Sequence, residues 1–129
     1  MNSVTSRLLL ASAAAIFLFG AAMHTIAYAA KASRLISSSG LSAFFASELK
    51  VLWLADSTTL FALSLVIALI AANPKSADKV LVMLLALVPF AITLLLYAFV
   101  GPFYAGHLLL IASAMVFAAG LIMPARSFT

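Results

Sequence analysis

The sequence predicts an all-α integral membrane protein, a bundle of four antiparallel helices. Composition is the first observation behind this prediction: of 129 residues, 67% are hydrophobic and only 8% are charged. Soluble domains carry about a quarter charged residues, and so few polar side chains could not cover a water-soluble globule. The second observation is a set of four long apolar segments, each near the roughly 20 residues that a helix needs to cross a bilayer.

The four predicted spans form one transmembrane domain over residues 1–129. They cover residues 8–30, 51–72, 80–100 and 103–123. Asn73-Pro74 ends the second span, because proline disfavours helix at the residue before it. Gly101-Pro102 separates the last two spans and predicts a tight helical hairpin, since glycine favours helix ends and proline favours helix starts.

Residues 31–50 are predicted to form an outer loop that is part-helical. The serines before Gly40 interrupt this segment, and apolar residues at helical spacing follow, among them Leu41, Phe44 and Leu49. Two structures fit this pattern: a short helix lying at the membrane interface, or an extension of the second span. The pattern does not choose between them.

The first apolar segment resembles a secretory signal peptide as well as a membrane helix. Arg7 supplies a positive start, and Ala27-Tyr28-Ala29 matches a cleavage pattern that would remove residues 1–29. The apolar run is longer than the about 7–15 residues usual in a signal peptide, and it is long enough to span a bilayer. We therefore predict a retained first span, with cleavage as the alternative.

Basic residues beside the spans predict the orientation. One side of the membrane would carry Arg7, Lys75, Lys79 and Arg126, and the other Lys31, Arg34 and Lys50. The positive-inside rule therefore predicts that both termini are cytoplasmic, by four basic residues to three. We predict a multi-pass protein of a bacterial-type inner (plasma) membrane.

Three ionisable side chains are predicted to share one level near the outer ends of the spans. Counted from the outer end of its own span, His24 is six residues away, Asp56 five and His107 four. At about 1.5 Å per residue, they lie about 9, 8 and 6 Å inside the outer edge. Ionisable groups are costly in hydrocarbon, so they indicate a candidate site. The same outer third contains the other members of the predicted polar cluster: Tyr28, Trp53 and Tyr104.

Each of these side chains also has a structural interpretation. Asp56 could cap the second membrane helix, with its carboxylate on the amide of Thr58 or Thr59. The histidines could hydrogen-bond between helices, and the aromatic residues could form an interfacial belt. Small residues in the first and fourth spans predict that these two helices pack together, which would bring His24 towards His107.

If the three ionisable groups meet, they could bind a cofactor. Two imidazoles and one carboxylate suit a metal ion at His24, Asp56 and His107. The two histidines could instead ligate a haem, with Lys31 and Arg34 on the side of its propionates. A further alternative is a small proton-coupled transporter in which Asp56 titrates beside His24.

The main functional prediction is an accessory membrane subunit or a binder of a small ligand in the outer third. Enzymatic activity is not favoured, because cysteine is absent and the sequence contains no nucleophile elbow, phosphate loop or H-E-x-x-H motif. The predicted partners are the lipid bilayer and other membrane subunits or further copies of the chain. The net charge is +4, but the basic residues form no cluster with aromatic residues between them, so no nucleic-acid partner is predicted.

Overall fold

A computed structural model describes residues 2–123, and this part of the chain is helical apart from short connections. The elements are α1 (Asn2–Ala27), a π-helical turn (Tyr28–Ala32), α2 (Ser33–Ser37), α3 (Ala43–Ala72), a 3-10 turn (Pro74–Ser76), α4 (Lys79–Phe99) and α5 (Tyr104–Ile122). Because α1, the π-helical turn and α2 follow one another without a break, these elements form four rods. The predicted all-α four-helix bundle is confirmed.

All four rods are long and apolar enough to cross a membrane. The candidate spans in these rods, the first of which begins at Val4, contain 34, 30, 21 and 19 residues, and in the most apolar window of each only 22% to 39% is buried within the bundle. Helices that are apolar all round and yet mostly unburied by protein are typical of membrane spans. The predicted third and fourth spans match α4 and α5 to within one residue, whereas the first two rods are longer than predicted.

The predicted outer loop, residues 31–50, is mostly helical. The chain reverses over residues 38–42, where Gly40 adopts a positive φ of 73° that favours glycine. Ser42 then caps α3, and its side-chain oxygen accepts a hydrogen bond from the Phe45 amide at 3.4 Å. Residues 43–50 therefore extend the second span and do not form a separate interfacial helix.

The paired α1–α2 and α3 rods project beyond the turn that joins α4 to α5. Ala27 and Phe103, which precedes α5, line the same cavity, so they lie at a similar level. The ten helical residues after Ala27, from Tyr28 to Ser37, then extend about 15 Å further. The exposed tip of this projection includes Phe44 and Phe45, with exposed fractions of 66% and 57%.

Helix α1 is the centre of the bundle. It packs against both α3 and α5, and α5 packs against α4, whereas α3 and α4 share no comparable interface. Phe17 of α1 is fully buried in the core, together with Ile67 of α3 and Val116 of α5. The predicted packing of the first span against the fourth is confirmed, and the bundle is open between α3 and α4.

Two buried serines join helices through main-chain carbonyls. Ser64 Oγ of α3 donates to Ala14 O of α1 at 2.8 Å, and Ser113 Oγ of α5 donates to Ala86 O of α4 at 2.8 Å. Hydrogen bonds of this kind help to hold helices together in apolar surroundings. The second bond lies in the turn before Pro89, which has no amide hydrogen to donate.

Arg7 and Asp78 secure the opposite end of the bundle, where α3 ends and α4 begins. Arg7 Nε donates to Ala71 O at 3.0 Å and its Nη2 donates to Ala72 O at 3.4 Å, which places a cation at the carbonyl end of α3. The Asp78 carboxylate caps α4 by accepting from the Leu81 amide at 2.8 Å.

Candidate functional site: a polar cluster at an open cavity

His24 is the centre of a polar cluster between α1 and α3. Its Nδ1 lies 2.9 Å from Ser57 Oγ, and its Nε2 lies 3.6 Å from Asp56 Oδ2. The first distance is a hydrogen bond, whereas the second is a longer electrostatic contact. Both side chains are partly accessible, with exposed fractions of 29% for His24 and 36% for Asp56.

Asp56 lies deep inside α3 and is not a helix cap. The helix begins at Ala43, so Asp56 is the thirteenth residue after its start. The interpretation of Asp56 as a cap on the amides of Thr58 or Thr59 is therefore wrong. Thr58 and Thr59 use their hydroxyls to donate to carbonyls one turn earlier, those of Leu54 and Ala55.

Trp53 holds the His24 ring and main chain at the same time. The indole Nε1 donates to His24 O at 3.1 Å, and the two rings stack with centroids 4.6 Å apart and planes 14° apart. Trp53 and Ser57 are one helical turn apart on α3, so they approach His24 from a single face. The imidazole is thereby fixed in position and orientation.

Ser57 is a member of the cluster that sequence reasoning missed. It is buried, and its hydroxyl also lies 3.4 Å from Trp53 O as a potential donor. With neutral His24 the hydroxyl can donate to Nδ1, and with protonated His24 it can accept from Nδ1 and donate to Trp53 O. Nδ1 therefore has a partner in both protonation states. In the sequence, the position of Ser57 directly after Asp56 is the only feature that could have indicated its place in the cluster.

A cavity of about 490 Å³ adjoins this cluster where α3 and α4 fail to pack. His24, Trp53 and Asp56 form its polar edge on one side, and Phe103 and Tyr104 lie on the α5 side. The remainder of the lining is apolar, from residues on α1, α3, α4 and α5: Ile16, Phe19, Gly20, Met23, Ala27, Leu60, Leu96, Val100, Ala105, Leu108 and Leu109. An apolar cavity with a few polar groups at one edge is the usual form of a small-molecule site.

The other predicted site residues lie apart from His24. Tyr104 lines the cavity, whereas Tyr28 begins the π-helical turn one turn beyond His24 and is not part of the lining. His107 is exposed and uses Nδ1 to contact Tyr97 Oη of α4 at 2.6 Å. The structure thus brings together His24, Trp53 and Asp56, and it leaves His107 in a separate pair.

A three-residue metal centre is not assembled in the part of the chain that the structure describes. Residues 2–123 contain no group of three or more His, Cys, Asp or Glu side chains placed to hold a metal ion. Each histidine is engaged by its own neighbour, Ser57 for His24 and Tyr97 for His107. Metal or haem binding at His24, Asp56 and His107 stays a prediction from the sequence that this geometry does not favour.

The cluster can supply three kinds of interaction to a molecule in the cavity. The Asp56 carboxylate accepts hydrogen bonds and attracts cations, His24 can exchange a proton, and the aromatic rings offer flat apolar faces.

Comparison with known proteins finds no matching family model, no matching curated protein and no matching solved structure.

Proposed function

We propose that this protein binds a small amphiphilic molecule taken from the lipid bilayer, in the cavity between α3 and α4. The observation that carries this proposal is the cavity itself: about 490 Å³ with an apolar lining and one polar edge at His24, Trp53 and Asp56. An apolar body would occupy the lining, and a polar head would reach the cluster. The function is binding rather than catalysis.

The open side of the bundle supports entry from the lipid. Since α3 and α4 share no comparable interface, the cavity that both helices line is not closed by packing between them. Phe61 of α3 and Leu95 of α4 are both more than half exposed, which suits helices that face lipid. A molecule dissolved in the bilayer could therefore enter without crossing the headgroup region.

We propose a bacterial-type inner membrane as the location, with both termini in the cytoplasm. The count of basic residues beside the spans supports this orientation: Arg7, Lys75, Lys79 and Arg126 would be cytoplasmic, against Lys31, Arg34 and Lys50 on the other side. Arg126 lies outside the described residues. The chain has no cysteine, so single-cysteine variants can report the topology. In intact cells a membrane-impermeant maleimide should label Ser38→Cys and not Ser76→Cys, and the reverse pattern would contradict the orientation.

Fluorescence of Trp53 tests the binding proposal, because it is the only tryptophan in the chain and lines the cavity. The probe is a neutral dodecanoyl ester of 4-hydroxy-TEMPO, whose nitroxide quenches tryptophan at short range. In phosphatidylcholine vesicles we expect saturable quenching that lauryl alcohol, which carries no nitroxide, reverses by competition. Non-saturable quenching alone would mean that the probe is merely dissolved in the bilayer, and it would contradict the proposal.

A cavity-filling variant with a matched control identifies the site of quenching. Ala105→Phe adds a large side chain inside the cavity, and Ala98→Phe adds the same group to an exposed position on α4 that does not line it. We expect saturable quenching to be lost in the first variant and kept in the second. Equal quenching in both variants would place the probe elsewhere on the protein.

A second candidate function, that of an accessory subunit, is favoured by the projecting tip at Phe44 and Phe45. Large apolar side chains beyond the span of α4 and α5 suit a contact with another protein. Light scattering of the detergent-purified protein would measure whether it carries a stoichiometric partner or a second copy. A larger mass that the Phe44→Ser, Phe45→Ser double variant reduces to that of one chain would support this candidate, and a monomer in both would oppose it.

A further inference from the structure

We propose that the amphiphile bound in the cavity is a lipophilic cation, whose ammonium-type head lies at Asp56. This inference deepens the proposed function and rests on it. Among the described residues (2–123) that line the cavity, Asp56 is the only Asp, Glu, Lys or Arg. A carboxylate in such apolar surroundings is costly to leave without a counter-charge, so a cationic ligand would be stabilised there.

A neutral His24 would leave the charge of Asp56 without a counter-charge. The separation of 3.6 Å between His24 Nε2 and Asp56 Oδ2 exceeds hydrogen-bond range, and the other ring nitrogen is occupied by Ser57. The Asp56 side chain is 36% exposed, and its contact with His24 is made by one carboxylate oxygen, Oδ2. It therefore keeps free acceptor positions on the side of the cavity.

The aromatic lining favours a cation further. Trp53 stands on the α3 side, Phe19 on α1, and Phe103 and Tyr104 at the start of α5. Aromatic ring faces carry a negative potential and attract cations, an effect that strengthens where water is excluded. A ring-lined cavity with one carboxylate is the arrangement that a cation with apolar substituents would match.

An anionic headgroup does not fit this cavity. It would face Asp56 without a compensating base, because Lys31 of the π-helical turn and Arg34 of α2 do not line the cavity. Arg34 Nη2 instead donates to Ala30 O at 2.7 Å on its own rod. Like charges held close together in low dielectric repel strongly, so anions should be rejected.

Three nitroxide amphiphiles that each carry one twelve-carbon chain and one TEMPO ring test the inference. The neutral probe is the ester described above, the cation is the dodecyldimethylammonium derivative, and the anion is the dodecyl phosphate diester. Quenching of Trp53 is measured in phosphatidylcholine vesicles at pH 8, above the range in which imidazoles usually titrate. We expect the apparent Kd of the cation to be roughly tenfold below that of the neutral probe, and the anion to show no saturable quenching.

Asp56→Asn should remove the preference for the cation, while Glu48→Gln should leave it unchanged. Both variants delete one carboxylate, but Glu48 lies on the projecting part of α3 and does not line the cavity. Saturable binding of the neutral probe, at whatever affinity, shows that Asp56→Asn is folded, because the preference is measured as the ratio of the cation and neutral affinities. If that variant instead fails to fold, the ratio of cation to neutral affinity in the unmodified protein decides the inference.

The possible outcomes distinguish the proposal of a cationic ligand from the proposal of amphiphile binding on which it rests. Equal saturable binding of the cation and the neutral probe, or a preference that survives Asp56→Asn, overturns the cationic ligand and leaves amphiphile binding intact. Absence of saturable quenching by all three probes overturns amphiphile binding itself. A tenfold preference that is lost in Asp56→Asn and kept in Glu48→Gln supports both.

Discussion

The Trp53 indole both stacks on the His24 ring and donates a hydrogen bond to the His24 carbonyl, with a ring separation of 4.6 Å and an N–O distance of 3.1 Å. Trp53 of α3 therefore contacts both the main chain and the side chain of His24 on α1. This double contact fixes the polar edge of the cavity relative to the central helix of the bundle.

Trp53→Phe should weaken this junction without abolishing it. Phenylalanine can still stack on the imidazole, but it cannot donate to the carbonyl, so we expect a loss of about 1 kcal/mol in the free energy of unfolding. Thermal unfolding in detergent, followed by circular dichroism, would measure the change. Trp53→Ala, which also removes the stacking, should lose more, and equal losses in the two variants would show that the hydrogen bond carries the whole contact.

Ser64→Ala and Ser113→Ala should each destabilise one helix pair. Each variant removes a hydroxyl that donates across an interface, and such bonds contribute about 0.6 kcal/mol in membrane bundles, up to about 1.7. The two bonds join different helix pairs, α3 with α1 and α5 with α4. We therefore expect the losses in the double variant to add, and strong non-additivity would show that the two interfaces are coupled.

Alanine substitutions at three glycines should destabilise the protein to different extents, according to the helix contacts around each glycine. A Cβ at Gly120 would lie 2.7 Å from Met83 Cγ and 3.1 Å from Lys79 O, and one at Gly106 would lie 2.5 Å from Tyr97 Cε1. At Gly20 the nearest atom is Leu60 Cδ1 at 3.6 Å, an ordinary contact.

We expect Gly120→Ala to lose about 1–3 kcal/mol, because main-chain atoms of α4 must move. Gly106→Ala should displace the Tyr97 ring and its contact with His107, and Gly20→Ala should be tolerated. The midpoints of thermal unfolding in detergent would rank the three variants. A Gly20→Ala variant as unstable as Gly120→Ala would contradict the packing described for α1 and α3.

The mature protein should retain its first 29 residues. Ala27-Tyr28-Ala29 lies within an unbroken helical rod, and cleavage there would remove the central helix that links α3 to α5. It would also remove the contacts of Arg7 with α3 and of His24 with Ser57. Intact mass measurement of the protein purified from membranes should give the full chain, and a chain starting near Lys31 would establish cleavage.

The fold could be predicted because span length and apolar character depend only on the local sequence. Gly101 ends α4 with a positive φ of 94°, as the hairpin prediction requires. The predicted first span ends before its helical rod does, and the predicted second span begins after the start of α3, since the prediction treated Lys31 and Lys50 as their limits. Both helices continue past these charges, because long basic side chains on a projecting helix can remain in contact with water.

The candidate site could be predicted only in part. Depth along the spans anticipated that His24 and Asp56 would lie at one level, and they are in contact. Depth does not determine how a helix is rotated about its axis. Gly106 packs against Tyr97, and His107 beside it contacts the same tyrosine, so this part of α5 faces α4. The role of Ser57 likewise depends on rotation of α3, which only the packed structure reveals.

Photolabelling tests the central claim, a ligand cavity between α3 and α4, most directly. The protein in phosphatidylcholine vesicles is irradiated with a neutral alkyl alcohol that carries a diazirine, and the adducts are located by mass spectrometry. We predict that adducts concentrate on cavity residues such as Met23, Leu60 and Leu108, and that Ala105→Phe suppresses them while Ala98→Phe does not. Labelling spread evenly over lipid-facing residues such as Phe61 and Leu95, and unchanged by Ala105→Phe, would contradict the claim.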